Sequence, residues 1–240
     1  MPVCQHAGNG SVAVAMDADR NALAAGAGAA GPARAARSEY LWEGVGPAAV
    51  HAHVARPLVV QLDRFNANSV LDLGCGNGWL TAALARCGFE ACGLDSSQSG
   101  IHIARSVHED VPFVLADALQ PPAPELCDRF DAIVAVEAVD HVAQPRLLLM
   151  HARQMLRPGG LLLLTVPYHG YLKNLGVALS GRFDLRLQAV EDHGRLKFFS
   201  HRSLGTLVQE CGFEGLHIQN LGRILPIARS MLLSARRPPA

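Results

Sequence analysis

From residue 69 onward, apolar and polar positions fall into alternating blocks with strand and helix periods. Ser69–Leu73 is a short apolar run that ends at a cluster of glycines. A helical pattern follows over Trp79–Cys87 and stops at Gly88. Glu90–Leu94 predicts the second strand, and Asp95-Ser96-Ser97 offers an N-cap for a helix to about Val107. Pro112–Ala116 and Asp131–Glu137 predict the third and fourth strands, with a loop between them that carries Pro121, Pro122 and Pro124. Pro145–Arg157 reads as a helix stopped by Pro158-Gly159-Gly160. Leu161–Val166 is apolar on both faces, as a buried central strand must be. Residues 167–199 break the rhythm, with Gly170, Gly176, Gly181 and Gly194. Ser200 then caps a helix to Cys211, and Phe213–Gln219 and Ser230–Arg236 predict two closing strands.

Repeated β-α-β units with near-continuous apolar strands imply an α/β fold, a doubly wound parallel sheet with helices on both faces. Ligands of such sheets sit at the carboxyl ends of the strands. The chemistry is therefore expected just after residues 73, 94, 116, 137 and 166.

Composition narrows the setting. The 240 residues carry 21 Lys+Arg against 21 Asp+Glu, so no basic excess marks a nucleic-acid binder. Aromatic residues make up only 5%, too few for a base-stacking surface. No run reaches the ~18 apolar residues of a membrane span. Cysteines at 4, 75, 87, 92, 127 and 211 form no CxxC pair, and several lie in apolar runs, as reduced thiols of a cytoplasmic protein do. Residues 1–37 hold 13 Ala and 5 Gly with no aromatic residue, a composition that buries too little to offset its ordering entropy. The expected organisation is a disordered tail over 1–37 and one domain over 38–240, with 167–199 inserted on the acceptor side.

Val70-Leu71-Asp72-Leu73-Gly74-Cys75-Gly76-Asn77-Gly78-Trp79 joins a strand to a helix. Glycines let the backbone turn sharply and approach a ligand without Cβ atoms in the way. The loop amides and the helix N-terminus can then receive a carboxylate or phosphate. Asp95 lies 21 residues beyond Gly74, at a strand end where a carboxylate can accept both hydroxyls of a ribose. Asp117 stands at the end of the third strand. A dinucleotide fingerprint needs glycine at the sixth place of G-x-G-x-x-G, where this chain has Trp79.

The G-x-G-x-G spacing instead resembles the first motif of class I S-adenosylmethionine-dependent methyltransferases, and the resemblance covers about residues 40–236. Gly93-Leu94-Asp95 resembles the family's ribose-binding acid, Ala116-Asp117-Ala118 its adenine-side motif, and Leu156-Arg157-Pro158-Gly159-Gly160 the turn before its fifth strand. Within the class, Val136-Glu137-Ala138-Val139-Asp140-His141-Val142 and Lys197-Phe198-Phe199-Ser200 are most similar to the ubiquinone-biosynthesis O-methyltransferase group, which usually has Glu where this chain has Asp140. The resemblance implies a Rossmann-like seven-stranded sheet whose last strand is antiparallel. It implies S-adenosyl-L-methionine as cofactor, along Asp72, Gly74, Cys75, Gly76, Asp95, Ser96, Asp117, Ala118 and Val136. It also implies methylation of a small-molecule acceptor, at oxygen. The rivals are a nicotinamide-dependent oxidoreductase, against which Trp79 and the lack of a catalytic Tyr-x-x-x-Lys argue, and a cofactor-binding partner subunit without catalysis.

Glu137, Asp140 and His141 follow the fourth strand and are the candidate catalytic residues. Methyl transfer is an in-line displacement, so the enzyme must mainly align the reactants. His141 could accept the acceptor's proton. The same three groups could instead hold a divalent cation, or merely cap the next helix and pack. A carboxylate one methylene shorter reaches about 1.5 Å less far, while metal sites hold their distances within ~0.2 Å. We therefore expect His141 as base and no metal. Tyr168, His169 and Tyr171, directly after the central strand, are the candidate acceptor-binding residues. His51 and His53, on a helical pattern before the first strand, read as surface or core histidines, and Arg56 as a possible partner of the cofactor's carboxylate.

Overall fold

The computed structural model describes residues 41, 42, 44–180, 196–223 and 228–239. The expected tail over 1–37 and the stretch 181–195 of the insertion lie outside the described residues. Seven strands form one mixed sheet of order β3-β2-β1-β4-β5-β7-β6. They are β1 Ser69–Leu73, β2 Glu90–Asp95, β3 Phe113–Leu115, β4 Phe130–Val136, β5 Leu156–Pro167, β6 Glu214–Leu221 and β7 Ser230–Arg236. The helices are α1 His51–Phe65, α2 Trp79–Arg86, α3 Gln98–Val107, α4 Pro145–Met155, α5 Tyr171–Leu179 and α6 His201–Glu210. The chain divides into two compact units at Asp117–Ala118.

In the first unit β1 pairs in parallel with β2, and β2 with β3. All five residues of β1 are buried, Asp72 included. Each fully buried Leu or Val there contributes roughly 1.5–3 kcal/mol by leaving water. Ser97 caps α3 as its sequence position predicts, its hydroxyl accepting from the N–H of Gly100 at 3.1 Å. Cys75, Ile101, Ala104 and Phe113 form an apolar cluster under the glycine loop.

In the second unit β4 and β5 are parallel, whereas β7 runs antiparallel to both β5 and β6. The closing antiparallel pair matches the expected topology. Ser200 and Ser203 form a reciprocal capping box at the start of α6.

Two boundaries differ from expectation. α4 ends at Met155, and β5 already begins at Leu156, which pairs with Phe130. Pro158-Gly159-Gly160 is therefore not a helix stop but an irregularity within β5, where the register jumps from Phe130↔Leu156 to Ala132↔Leu161. Gly159 sits there at φ 79°, and its N–H donates to the carbonyl of Arg237 at 3.0 Å. Arg157 pairs with Asp131 at 2.6 Å beside it. The insertion, where the strand–helix rhythm of the sequence breaks, opens with helix α5.

Candidate functional site

The glycine loop of the first unit takes the conformation its residues suggest. Gly74, Gly76 and Gly78 have φ of 82°, 54° and 78°, a left-handed region that L side chains rarely enter. The loop amides are not open to an anion, as the sequence had suggested. The N–H groups of Gly74 and Cys75 donate to the carbonyl of Leu94, at 2.8 and 3.2 Å, and that of Gly78 to the carbonyl of Cys75 at 2.9 Å. The N–H of Gly76 donates to Asp95 Oδ2 at 2.8 Å. At Gly76 and Gly78 the space a Cβ would take is filled by the Trp42 indole and by Ala104 and Phe113, so these glycines serve close packing of the loop.

Asp95 ends β2 and is half-buried. Its second oxygen, Oδ1, accepts from the N–H of Ser97 at 2.8 Å. These two backbone bonds fix the plane of the carboxylate, an acceptor-only group when ionised. Such a carboxylate suits ligand hydroxyls that donate to it. Ser96 beside it is exposed, and so is Asp117. The N–H of Ala116 donates to the carbonyl of Asp95 at 3.0 Å, which brings Asp117 alongside the end of β2.

Asp72 and Cys75 lie deeper. Asp72 is 1% exposed, and Thr81 donates to its Oδ2 at 2.7 Å. Burial raises its pKa to about 7, opposed by the Thr81 bond and reinforced by the charge of Asp95. Asp72 thus braces β1 against α2 from inside the unit. Burial also holds the Cys75 thiol well above its ordinary range, so it is protonated and unreactive.

Trp79, at the position where a dinucleotide fold needs glycine, is buried and stacks on His51 with ring centroids 5.1 Å apart. Burial, then the charge of His53, lowers the His51 pKa to about 4. Its Nδ1 accepts from the N–H of Ala48 at 3.2 Å, so the imidazole is neutral with its proton on Nε2. Arg56 is exposed on α1.

In the second unit Val136 ends β4, and Glu137 follows at φ 48°. A non-glycine residue in that region costs of order 1–3 kcal/mol and persists only where the surroundings over-determine it. Its N–H donates to the carbonyl of Thr165 at 3.0 Å, which continues the β4–β5 pairing. Asp140 is 1% exposed, and His141 is partly exposed, with Nε2 3.8 Å from Asp140 Oδ2. The carbonyl of Asp140 accepts the N–H groups of Leu196 and Lys197 at 2.9 and 3.0 Å. Neither acid caps the next helix, because α4 starts at Pro145 behind Gln144 and has no side-chain cap. Among the described residues, no three His, Cys, Asp or Glu side chains are grouped to hold a metal ion.

The candidate acceptor residues separate. Tyr168 is 8% exposed, lies edge-on to His201 with centroids 5.7 Å apart, and rests its hydroxyl against Gly170. The His169 ring lies edge-on to Phe198 at 5.1 Å. Tyr171 begins α5 and is 79% exposed. Sequence reasoning missed His151, a buried residue of α4 whose Nδ1 lies 2.9 Å from the carbonyl of Ala118. It also missed Asn77 and Trp42, which grip the glycine loop. Asn77 is bonded to backbone groups and the Trp42 indole fills space that glycines leave, neither of which a side-chain motif reveals.

A mixed seven-stranded sheet with a glycine turn after β1 and an acid closing β2 is the architecture of Rossmann-like methyltransferases. The methyltransferase-domain family matches residues 48–218, and the chain belongs to that family, whose methyl donor is S-adenosylmethionine. The ubiquinone biosynthesis O-methyltransferase of Azorhizobium caulinodans is 35% identical over 149 residues, spanning 60% of this chain and 58% of that protein. The protein of the same name from Cereibacter sphaeroides is 28% identical over 196 residues, spanning 77% of this chain and 78% of its own. Among solved structures, magnesium protoporphyrin IX methyltransferase from Synechocystis PCC 6803 with bound SAH shares the fold at a TM-score of 0.59 and 17% identity, over 77% of this chain and 82% of that one. The YcgJ protein of Bacillus subtilis shares it at a TM-score of 0.60 and 17% identity, over 77% and 99%.

Proposed function

We propose that the chain transfers a methyl group from S-adenosylmethionine to a hydroxyl oxygen of a small aromatic acceptor, in the cytoplasm. The observation that carries the reading is the Asp95 carboxylate, fixed by the N–H groups of Gly76 and Ser97 beside the glycine loop. The names of the curated relatives support oxygen as the methylated atom and a quinone precursor as the acceptor class. Among the described residues no helix is long and apolar enough to cross a membrane.

The cofactor, when bound, supplies an electrophilic methyl on a sulfonium. The chain's part is to hold and to deprotonate. Asp95 accepts the ribose hydroxyls, with Ser96, Asp117, Ala118 and Val136 along the nucleoside, and Asp72 and Cys75 keep the loop in place from beneath. His141 takes the proton of the acceptor hydroxyl, raising the electron density of the oxygen. Asp140, whose Oδ2 lies 3.8 Å from Nε2, orients the imidazole ring. Glu137, Tyr168, His169 and Tyr171 orient the acceptor.

The test is turnover. Purified protein is incubated with S-adenosylmethionine and a panel of phenols and catechols, with amines and carboxylates as controls, and methylated product and S-adenosylhomocysteine are measured together by mass spectrometry. Stoichiometric O-methylation of a phenol is the expected result. Methylation confined to amines or carboxylates would overturn the oxygen assignment. Cofactor binding with no turnover on any acceptor would favour a non-catalytic partner subunit.

A further inference from the structure

Asn77 lies inside the glycine loop, is 1% exposed, and has its side chain fully engaged. Nδ2 donates to two carbonyls, those of Gly44 and Gly46, each at 2.8 Å, and Oδ1 accepts from the N–H of Trp79 at 3.2 Å. Two carbonyls on one side can face only the amide's nitrogen, so the partners fix its orientation. The segment before α1 is thus bound across the loop. Trp42 binds it again. A Cβ on Gly76 would lie 2.1 Å from the Trp42 indole, and one on Gly100 2.9 Å from it, so the ring fills the space those two glycines leave. The N–H of Trp42 donates to Ser99 Oγ at 3.1 Å, Ser99 Oγ lies 3.0 Å from Ser97 Oγ, and the N–H of Ser97 donates to Asp95. At its far end the segment is held by His51 stacked on Trp79.

We propose that Trp42 and residues 44–51 form a clamp that presets the cofactor site, with Asn77 and Trp42 as its positioning residues. The inference rests on the reading that the loop and Asp95 hold S-adenosylmethionine. The clamp fixes both partners of the Gly76–Asp95 bond: the loop through Asn77 and the indole, the acid through Ser99 and Ser97. Ordering these groups before the ligand arrives removes that cost from binding. Releasing the clamp therefore weakens cofactor binding without deleting any group that touches the ligand.

Asn77→Asp isolates the effect. It keeps an acceptor for the N–H of Trp79, loses both donors, and sets a carboxylate oxygen against the carbonyls of Gly44 and Gly46. Titration calorimetry with S-adenosylhomocysteine is run on the full chain as wild type, Asn77→Asp, Trp42→Ala and Asp95→Ala. Acrylamide quenching of the two tryptophans, Trp42 and Trp79, accompanies it. For Asn77→Asp and Trp42→Ala we expect Kd to rise at least tenfold at unchanged stoichiometry. A merely structural defect would instead lower the stoichiometry and leave Kd near wild type. In Asn77→Asp, where both tryptophans are kept, quenching should increase in the free protein and return toward wild type at saturating ligand, because coupling between clamp and ligand is reciprocal. Should Asn77→Asp not fold, Trp42→Ala and Ser99→Ala carry the same binding test from the clamp's side. Clamp variants within twofold of wild type, beside a large loss in Asp95→Ala, overturn the clamp and leave the cofactor site standing. Wild-type affinity in Asp95→Ala overturns both.

Discussion

Asp95 and Asp140 each lie at or just beyond the end of a parallel strand, yet they are held by different kinds of partner. Asp95 takes two backbone N–H groups from its own unit, one from the glycine loop and one from the residue two places on. Asp140 sits in a turn whose carbonyl is tied to Leu196 and Lys197, near the end of the insertion. The cofactor side is a local construction: glycines at positive φ, a capped helix and an acid whose plane the backbone sets. The acceptor side is assembled from distant pieces, with Glu137 held at φ 48° as part of the arrangement. The Asp95 side is thus a fixed local frame, whereas the Asp140 side depends on contacts distant in sequence.

The largest effect that would sharpen this contrast is on the acceptor side. With a competent acceptor, His141→Ala should lower turnover by at least ~10²-fold, the smaller end of general-base loss, while S-adenosylhomocysteine affinity stays at its wild-type value. EDTA should change neither quantity. Abolition by EDTA with rescue by Mg²⁺ or Zn²⁺ would turn Glu137, Asp140 and His141 into ligands and break the assignment.

On the cofactor side, the next effect is on stability. The Asp72 pKa is raised to about 7 in the folded chain, against about 3.9 when unfolded. Between those values the folded state keeps a proton that the unfolded state has lost, so stability falls as pH rises through this window. The full span is on the order of 4 kcal/mol. His51 acts in the opposite sense: its lowered pKa gives stability that is present above about pH 6.5 and lost as pH falls toward 4. Taking Asp72→Asn minus wild type cancels the His51 contribution. The melting-temperature advantage of the variant should grow from pH 5 to pH 8, and a pH-independent difference would show that Asp72 does not titrate in that range.

The smallest effect concerns Thr165, which is fully buried at the end of β5 and whose Oγ1 has no hydrogen-bond partner among the described residues. Replacing an unsatisfied hydroxyl with a methyl of similar shape removes a burial cost. Thr165→Val should therefore raise stability by about 1 kcal/mol, or roughly 2–4 °C in a chain of this size. A loss of turnover in the stabilised variant would mean that the hydroxyl serves the acceptor.

The same contrast explains what could be read from the sequence. β1 and β7 match their predicted spans residue for residue, because apolar runs bounded by turn residues define buried strands directly. The glycine loop and Asp95 were legible for a related reason: backbone strain and a strand-end carboxylate both leave marks in residue type. Pro158-Gly159-Gly160 misled, since breakers read as a stop, while the β5 irregularity is held by Arg237 from the far end of the chain. Asn77 was invisible as a clamp because its partners are the carbonyls of Gly44 and Gly46, which any residue would supply. Tyr168 was legible as a candidate by its position after the central strand, but its packing was not. Its burial against His201 and Gly170 follows from packing that a linear pattern does not encode.

In the proposed function, the glycine-loop unit binds S-adenosylmethionine through Asp95. Calorimetry of wild type and Asp95→Ala with S-adenosylhomocysteine and with NAD tests it most directly. A hydrogen bond to a charged group contributes ~1.5–3 kcal/mol, so Asp95→Ala should bind S-adenosylhomocysteine roughly ten- to a hundredfold more weakly, and neither protein should bind NAD. Unchanged affinity in Asp95→Ala, or tight binding of NAD by the wild type, would contradict it.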